Sequence, residues 1–291
     1  MSNILDLYPD GFASGMGAAP VVSTDGGATY TRARFNLTAT QTWTSFAAYG
    51  SPGGAAGRWA HDFGTVGQVL SQPNASATSF ASPNGTFSYK FDGGGALTRT
   101  PGPPAVFAGM PSAACHDRVP RDGQFTPYAS GHVVLPDGTH LQTGMYMACP
   151  PGRPALRVIA AYRSRDGYNY TFAAYVATSA ELPGSSEGPN EHDIALLPNG
   201  SVLCVFRTGA GDGRGQYLPF YRTVSADGGQ TWGPAVAVID AAGEAAGCAR
   251  PHLLQLGPVT LLSGGRMMMG RDYSRSFSVW LSGDGGAGWV R

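Results

Sequence analysis

An all-β fold built from repeated four-stranded antiparallel units is predicted for this 291-residue chain by three observations. A short Gly-rich stretch recurs at nearly constant spacing. A second stretch, shaped like a hairpin, recurs with the same spacing. Apolar residues nowhere show a convincing 3.6-residue helical period.

The Gly-rich stretch reads SADGGQTW at Ser225 to Trp232, STDGGATY at Ser23 to Tyr30 and SGDGGAGW at Ser282 to Trp289. SRDGYNYTF at Ser164 to Phe172 is a degraded copy, one residue longer. Each reads as a self-satisfied turn. An Asp accepts hydrogen bonds from backbone N–H groups one or two residues ahead, and Gly takes positive φ at no steric cost. Thr231 bonds back to the turn, and Trp232 and Trp289 lie over their turns as apolar lids. The aspartates are Asp25, Asp166, Asp227 and Asp284, and the last three are spaced by 61 and 57 residues.

The hairpin-like stretches are HVVLPDGTHLQTG, DIALLPNGSVLCVF and HLLQLGPVTLLSG, each an apolar run, a turn and another apolar run. Pro-Asp-Gly and Pro-Asn-Gly between such runs are strong turn signals. The turns centre on Asp137, Asn199 and Gly257, spaced by 62 and 58, each 27 to 29 residues before an aspartate of the first motif. Two signals in one phase define a unit: strand, tight turn, strand, connection, strand, Asp turn, strand. A repeat of about 60 residues made of four strands is a propeller blade with its first strand innermost.

On this reading the chain is one domain with about four to five blades, so the propeller is incomplete. Residues 1–37 hold a partial blade with an Asp turn, and 38–125 an irregular blade with long loops. Residues 126–185 and 186–245 form two regular blades, and 246–291 a last one without a clear outer strand.

Charged residues make up 13% of the chain and the formal net charge is zero, which argues against nucleic-acid binding through a basic surface. No apolar run is long enough to span a membrane. No signal peptide is visible in MSNILDLYPDG. Asn36, Asn74, Asn84, Asn169 and Asn199 open Asn-x-Ser/Thr triplets that would hint at secretion. Cys115, Cys149, Cys204 and Cys248 lack Cys-x-x-Cys spacing, so a zinc site is not expected and buried free thiols on strands are. His61, His132, His192 and His252 are scattered at strand starts, and neither a metal nor a cofactor is expected.

The turn motif Ser-x-Asp-x-Gly-x-Thr-Trp is the Asp box, and through it the chain resembles the sialidase (neuraminidase) superfamily of six-bladed propellers. The box marks a structural turn and not an activity. GPNEHDIALLPNGSVLCVFRTG, from Gly188 to Gly209, resembles the sialidase segment in which a Glu opens a hairpin and an Arg of the substrate-binding triad closes it. ARPHLLQL, from Ala249, resembles the segment carrying another triad Arg. The resemblance is good over roughly residues 125–291 and weak elsewhere.

It implies hydrolysis of a terminal sialic acid or a related acidic sugar with retention, with a sialylated or other acidic glycan as partner. Glu191 would be the base, and Tyr273 in GRDYSRSF the nucleophile, with Tyr217 and Tyr221 as rivals. A phenol needs such a base at neutral pH, since its pKa is about 10. Arg207 and Arg250 would hold the substrate carboxylate. Asp62 in RWAHDFGTV would be the acid/base, with Asp117 as the other option. The family's first triad Arg has no match, and Arg118 and Arg121 are offered in its place. That departure fits a fragment or a decayed homologue as well as an enzyme. A non-catalytic propeller that binds glycan or protein, or an unrelated glycosidase on the same scaffold, are the rival readings.

Counting from the turn supports the pair without the family. Glu191 lies eight residues before Asn199 and Arg207 eight after it, so a hairpin folded there sets them opposite each other at its open end. The bland alternative is a plain cross-strand salt bridge.

Overall fold

A computed structural model of the protein describes residues 77–81, 86–91, 97–115, 124–209, 218–247, 249–267 and 275–291, together with six short strands before residue 72. The chain forms two compact units, one of residues 1–68 and 82–104, the other of residues 69–81 and 105–291.

The strands in chain order begin with β1 (Ile4–Leu5), β2 (Val21–Val22), β3 (Thr31–Arg32), β4 (Ala47–Tyr49), β5 (Trp59–Asp62), β6 (Leu70–Ser71) and β7 (Ser79–Ala81). There follow β8 (Thr86–Phe91), β9 (Leu97–Gly102), β10 (Val106–Ala108), β11 (Gln124–Val134), β12 (His140–Ala148), β13 (Leu156–Ser164) and β14 (Asn169–Thr178). The last seven are β15 (His192–Leu196), β16 (Val202–Phe206), β17 (Tyr221–Ser225), β18 (Val236–Ala237), β19 (Ala249–Leu256), β20 (Val259–Met267) and β21 (Arg275–Ser282). A 3₁₀ turn at Ser179–Glu181 is the one helical element among the described residues. No helix there is long and apolar enough to cross a membrane.

In the first unit, β1, β2 and β3 form one antiparallel sheet and β4, β5, β8 and β9 another. The second unit carries the repeats. Strands β11 to β14 pair antiparallel in sequence order, as do β15 to β18 and β19 to β21. The third sheet continues briefly, because Val290 exchanges backbone hydrogen bonds with Leu281 at 2.7 and 2.9 Å.

Strand β16 shows why the sheets stack. VLCVF is buried at every position. Alternate side chains of a strand face opposite ways. Val202, Cys204 and Phe206 enter a core with Leu135, Leu141, Ile159 and Ile194. Leu203 and Val205 enter another with Leu262, Trp280 and Trp289. A strand covered on both faces reads as a continuous apolar run, and this one does.

The β11–β14 sheet is larger than the sequence reading has it. β10 pairs parallel with β14, β7 pairs with β10, and β6 pairs with both β7 and β11, closing a seven-stranded barrel. Aromatic rings fill it: Phe107 stacks on Tyr170 at 4.5 Å and Phe80 on Phe125 at 5.2 Å, with Tyr162 edge-on to Phe107 and Phe125. Rings at these separations prefer such offset and edge-on contacts. Burial lifts the Tyr162 hydroxyl well above its ordinary range.

The cysteine expectation needs correction. Cys115 and Cys149 form a disulfide with Cα atoms 5.1 Å apart, within the normal range for such a bond. The backbone brings them together: Cys115 N–H donates to Met147 O, and Cys149 N–H to Ala113 O. Cys204 is a buried free thiol, and Cys248 lies outside the described residues.

Two of the three described Asp boxes, at Asp227 and Asp284, share one geometry that differs in detail from the expected turn, and the one at Asp166 is a tighter version of it. The Asp227 carboxylate accepts from residues three and four ahead, Gln230 N–H at 3.0 Å and Thr231 N–H at 2.9 Å, and from the Thr231 and Ser225 hydroxyls. Ser225 Oγ takes the nearer donor, Gly229 N–H, at 2.7 Å. Asp284 and Ser282 repeat this with Gly288 and Gly286, without the threonine hydroxyl. Asp166 accepts from Tyr168 and Asn169, the Asn169 amide standing in for the threonine. Asp25 lies outside the described residues.

The paired glycines have a second cause besides positive φ. A Cβ on Gly229 would meet Leu141 Cδ1 at 2.5 Å, and one on Gly286 would meet Leu203 Cδ2 at 2.7 Å. These two boxes therefore press a glycine on a leucine of the preceding sheet. Trp232 packs beside the first core and Trp289 within the second. At Asp227, desolvation pulls the pKa upward, but the hydrogen bonds from Thr231, Ser225 and Gln230 outweigh it and hold it down at about 2.

Asp227→Ala is expected to lower stability by about 1–2 kcal/mol, since Gln230 and Thr231 lose their acceptor. Ligand affinity should not change. A urea midpoint equal to that of the parent, or a strong fall in affinity, would contradict this.

Candidate functional site

The hairpin β15–β16 positions the central pair. Its turn closes with Gly200 N–H donating to Leu197 O at 2.9 Å, and Gly200 takes φ +83°, which only glycine adopts readily. The strand register sets His192 opposite Phe206. The ladder then continues: Arg207 N–H donates to Glu191 O at 2.7 Å, Asn190 N–H to Arg207 O at 3.0 Å, and Glu187 N–H to Gly209 O at 3.1 Å. Glu191 and Arg207 are thus directly opposed at the open end of the hairpin. The Asp box lies at the other end, because Ser225 pairs with Val202 beside the turn.

The side chains meet. Arg207 Nε lies 3.4 Å from Glu191 Oε2, and Arg207 Nη2 lies 3.1 Å from Glu187 Oε2. The side chains of Arg207, Glu191 and Glu187 are 19%, 16% and 14% exposed, so the cluster is half-sheltered and still reachable from solvent. Two carboxylates share one guanidinium.

Glu187 is a residue that the sequence reading missed, and its loop is well anchored. Ser185 Oγ donates to Gly209 O at 2.8 Å and accepts from Gly209 N–H at 3.2 Å. Asn190 Nδ2 donates to Glu187 Oε2 at 3.4 Å. A Cβ on Gly209 would come within 2.7 Å of that same oxygen, so glycine there leaves room for the carboxylate. The usable signal is the spacing in EGPNE, two glutamates four apart just ahead of the hairpin.

The two residues after Glu191 bolt strand β15 to the sheets on either side. His192 is fully buried. Its Nδ1 lies 3.1 Å from Asn190 O and its Nε2 2.9 Å from Thr143 Oγ1 on β12. Burial holds the imidazole down at about 4, against the smaller upward pull of the Asn190 carbonyl. Asp193 faces the other way. Its carboxylate accepts from Ile194 N–H and from Leu253 N–H on β19, each at 2.7 Å, and lies 3.7 Å from His252 Nδ1. Desolvation raises the Asp193 pKa against the lowering effect of His252 and the two N–H donors.

The remaining candidates are placed as follows. Arg250 lies on β19, where the pairing with β20 shifts between Ala249 and His252. Asp62 ends β5 in the first unit, paired with Phe87. For both, only the backbone is described. Tyr273 lies in the connection between β20 and β21, and it, Tyr217, Asp117, Arg118 and Arg121 fall outside the described residues. Tyr221 stacks on Phe206 at 6.2 Å and packs against the first core, a poor position for a nucleophile. His132 Nε2 meets His140 Nδ1 at 3.1 Å within the β11–β12 hairpin.

No family model matches the chain, and no curated protein matches it. Solved structures do. A protein of unknown function from Dyadobacter fermentans DSM 18053 is 18% identical, over 90% of this chain and 66% of its own, with a TM-score of 0.48. The Hadza microbial sialidase Hz136 is 15% identical, over 93% of this chain and 50% of its own, with a TM-score of 0.51. An α-L-arabinofuranosidase from Fusarium graminearum is 18% identical, over 55% of this chain and 46% of its own, with a TM-score of 0.39. The chain therefore spans half of the sialidase and just under two thirds of the Dyadobacter protein. The fold is a glycosidase-like β-propeller fold, carried by the likeness to the sialidase.

Proposed function

We propose that the protein is a glycoside hydrolase of the sialidase type, cleaving a terminal sialic acid or related acidic sugar with retention at the anomeric centre. The observation that supports this best is the opposed, half-sheltered pair Glu191 and Arg207, at the end of its sheet away from the Asp box. The fold's likeness to a sialidase agrees with it.

In this reading the Tyr273 oxygen attacks the anomeric carbon as Glu191 takes the phenolic proton. A general acid protonates the departing glycosidic oxygen, then removes a proton from the water that releases the sugar. Arg207 and Arg250 hold the substrate carboxylate, with Arg118 or Arg121 as the third cation. A propeller of the six-bladed type, of which this chain supplies about four to five blades, belongs to the same proposal.

The test is binding and turnover of a fluorogenic sialoside by the parent and by Arg207→Lys. Lysine keeps the charge and loses the planar fork, so binding should weaken by about 1–3 kcal/mol. Unchanged affinity would remove Arg207 from the site.

A second reading is a non-catalytic propeller that binds glycan or protein. It is favoured by the two carboxylates already seated on Arg207, which leave that cation less available to a substrate. It requires binding without turnover.

A further inference from the structure

We propose that Glu187 is a specificity-determining residue of this site, an internal carboxylate seated on the edge of Arg207 that a ligand carboxylate would take. The inference rests on the reading of Arg207 as a carboxylate holder. Acidic ligands would then bind only in competition with Glu187.

The geometry carries it. Guanidinium offers a carboxylate two edges for a bidentate contact, Nε with one terminal nitrogen or the two terminal nitrogens together. Glu187 Oε2 sits at Nη2, the nitrogen common to both edges, at 3.1 Å. Glu191 sits at Nε. A ligand carboxylate must therefore share Nη2 or displace Glu187 from it.

Glu187 does not reach Arg207 by chance from a mobile arm. Its own N–H is tied to Gly209 O, Asn190 steadies its carboxylate, and Gly209 lacks the Cβ that would collide with it. The cluster is half-sheltered, so screening by solvent is incomplete and a second anion beside Glu187 is repelled. Glu187 thereby sets how readily the acid group of a ligand, as against its uncharged ester, engages Arg207.

The experiment compares two probes on the full chain, the methyl α-glycoside of N-acetylneuraminic acid and the methyl ester of its carboxyl group. Each is titrated into the parent, Glu187→Gln, Glu187→Ala and Arg207→Lys, with melting temperatures recorded alongside. Both Glu187 variants are expected to bind the acid about tenfold more tightly and the ester within twofold of the parent. Equal responses of acid and ester, or weaker binding of the acid in variants that melt like the parent, would overturn the role of Glu187. That result leaves the wider reading standing if Arg207→Lys still weakens the acid. If Arg207→Lys leaves the acid unaffected, or if neither probe binds any form, the acidic-sugar reading fails and this inference with it.

Discussion

Glu191→Gln is expected to lower kcat on a fluorogenic sialoside by about 10²–10⁴-fold while affinity for the acid holds or rises. The glutamine keeps the volume and one hydrogen-bonding oxygen beside Arg207, so the half-sheltered cluster stays packed. It loses the ability to take a proton. A tyrosine hydroxyl with a pKa of about 10 is almost wholly protonated at pH 7, and without a base it attacks poorly. Affinity does not depend on that proton, and removing one of two carboxylates from Arg207 makes its guanidinium more available to an acid. Tyr273→Phe should give the same separation of turnover from binding. A binding module would tolerate both changes. Turnover that survives Glu191→Gln removes Glu191 as base, and no turnover by the parent favours the binding reading.

The placement of Glu191 explains why the effect should be large. A catalytic group must be held to within about 0.5 Å, and rigid elements do this better than loops. Glu191 stands at the lip of strand β15, directly before two anchored residues. His192 ties the strand to Thr143 on one side, and Asp193 ties it to Leu253 on the other. Neither anchor is apparent in a search for catalytic residue types.

Legibility divides along that line. The opposition of Glu191 and Arg207 follows from counting to Asn199, because a two-stranded ladder is a local object. The Asp boxes are legible for the same reason, as are their glycines, although the press of Gly229 on Leu141 belongs to a contact across sheets. What depends on distant pairing is not legible. The parallel contact of β10 with β14 joins segments more than 60 residues apart and leaves no periodic trace in either. The Cys115–Cys149 bridge depends on residues 113–115 running beside 147–149, which four unspaced cysteines do not disclose. Glu187 escapes because its partner is reached through an irregular loop. Arg250 is placed on its strand by sequence alone, and the shift in pairing beside it is a feature of two strands together.

His192 should make the protein lose stability in acid, by roughly 3 kcal/mol as the pH falls from 7 to below 4. The sign follows from its depressed pKa. Unfolded, the imidazole takes up a proton near pH 6.5; folded, it resists until about 4. Between those values the unfolded chain binds more protons, so stability is fully present above 6.5 and drains away as the pH drops through the window. The half-buried His140, also lowered by desolvation, adds to the fall. The Asp-box carboxylates act outside this window, since hydrogen bonds hold Asp166, Asp227 and Asp284 below 3.8. Asp193 acts in the opposite sense, because its raised pKa favours the folded state as protons are added. The hydrogen bonds fit a neutral His192 that can still be charged. With Asn190 O at Nδ1, the proton of the neutral ring belongs on Nδ1, and Nε2 accepts from the Thr143 hydroxyl. On protonation Nε2 donates instead, and the Thr143 hydroxyl turns to Gly131 O, 3.1 Å away. The charge is satisfied locally, and what opposes it is burial. Urea unfolding of the parent and of His192→Gln at pH 7 and at pH 4 measures the difference. The variant is expected to be less stable at pH 7 and to lose roughly 2–3 kcal/mol less on acidification. An identical loss in both proteins would mean that the acid sensitivity arises elsewhere and that His192 does not stay neutral as its burial requires.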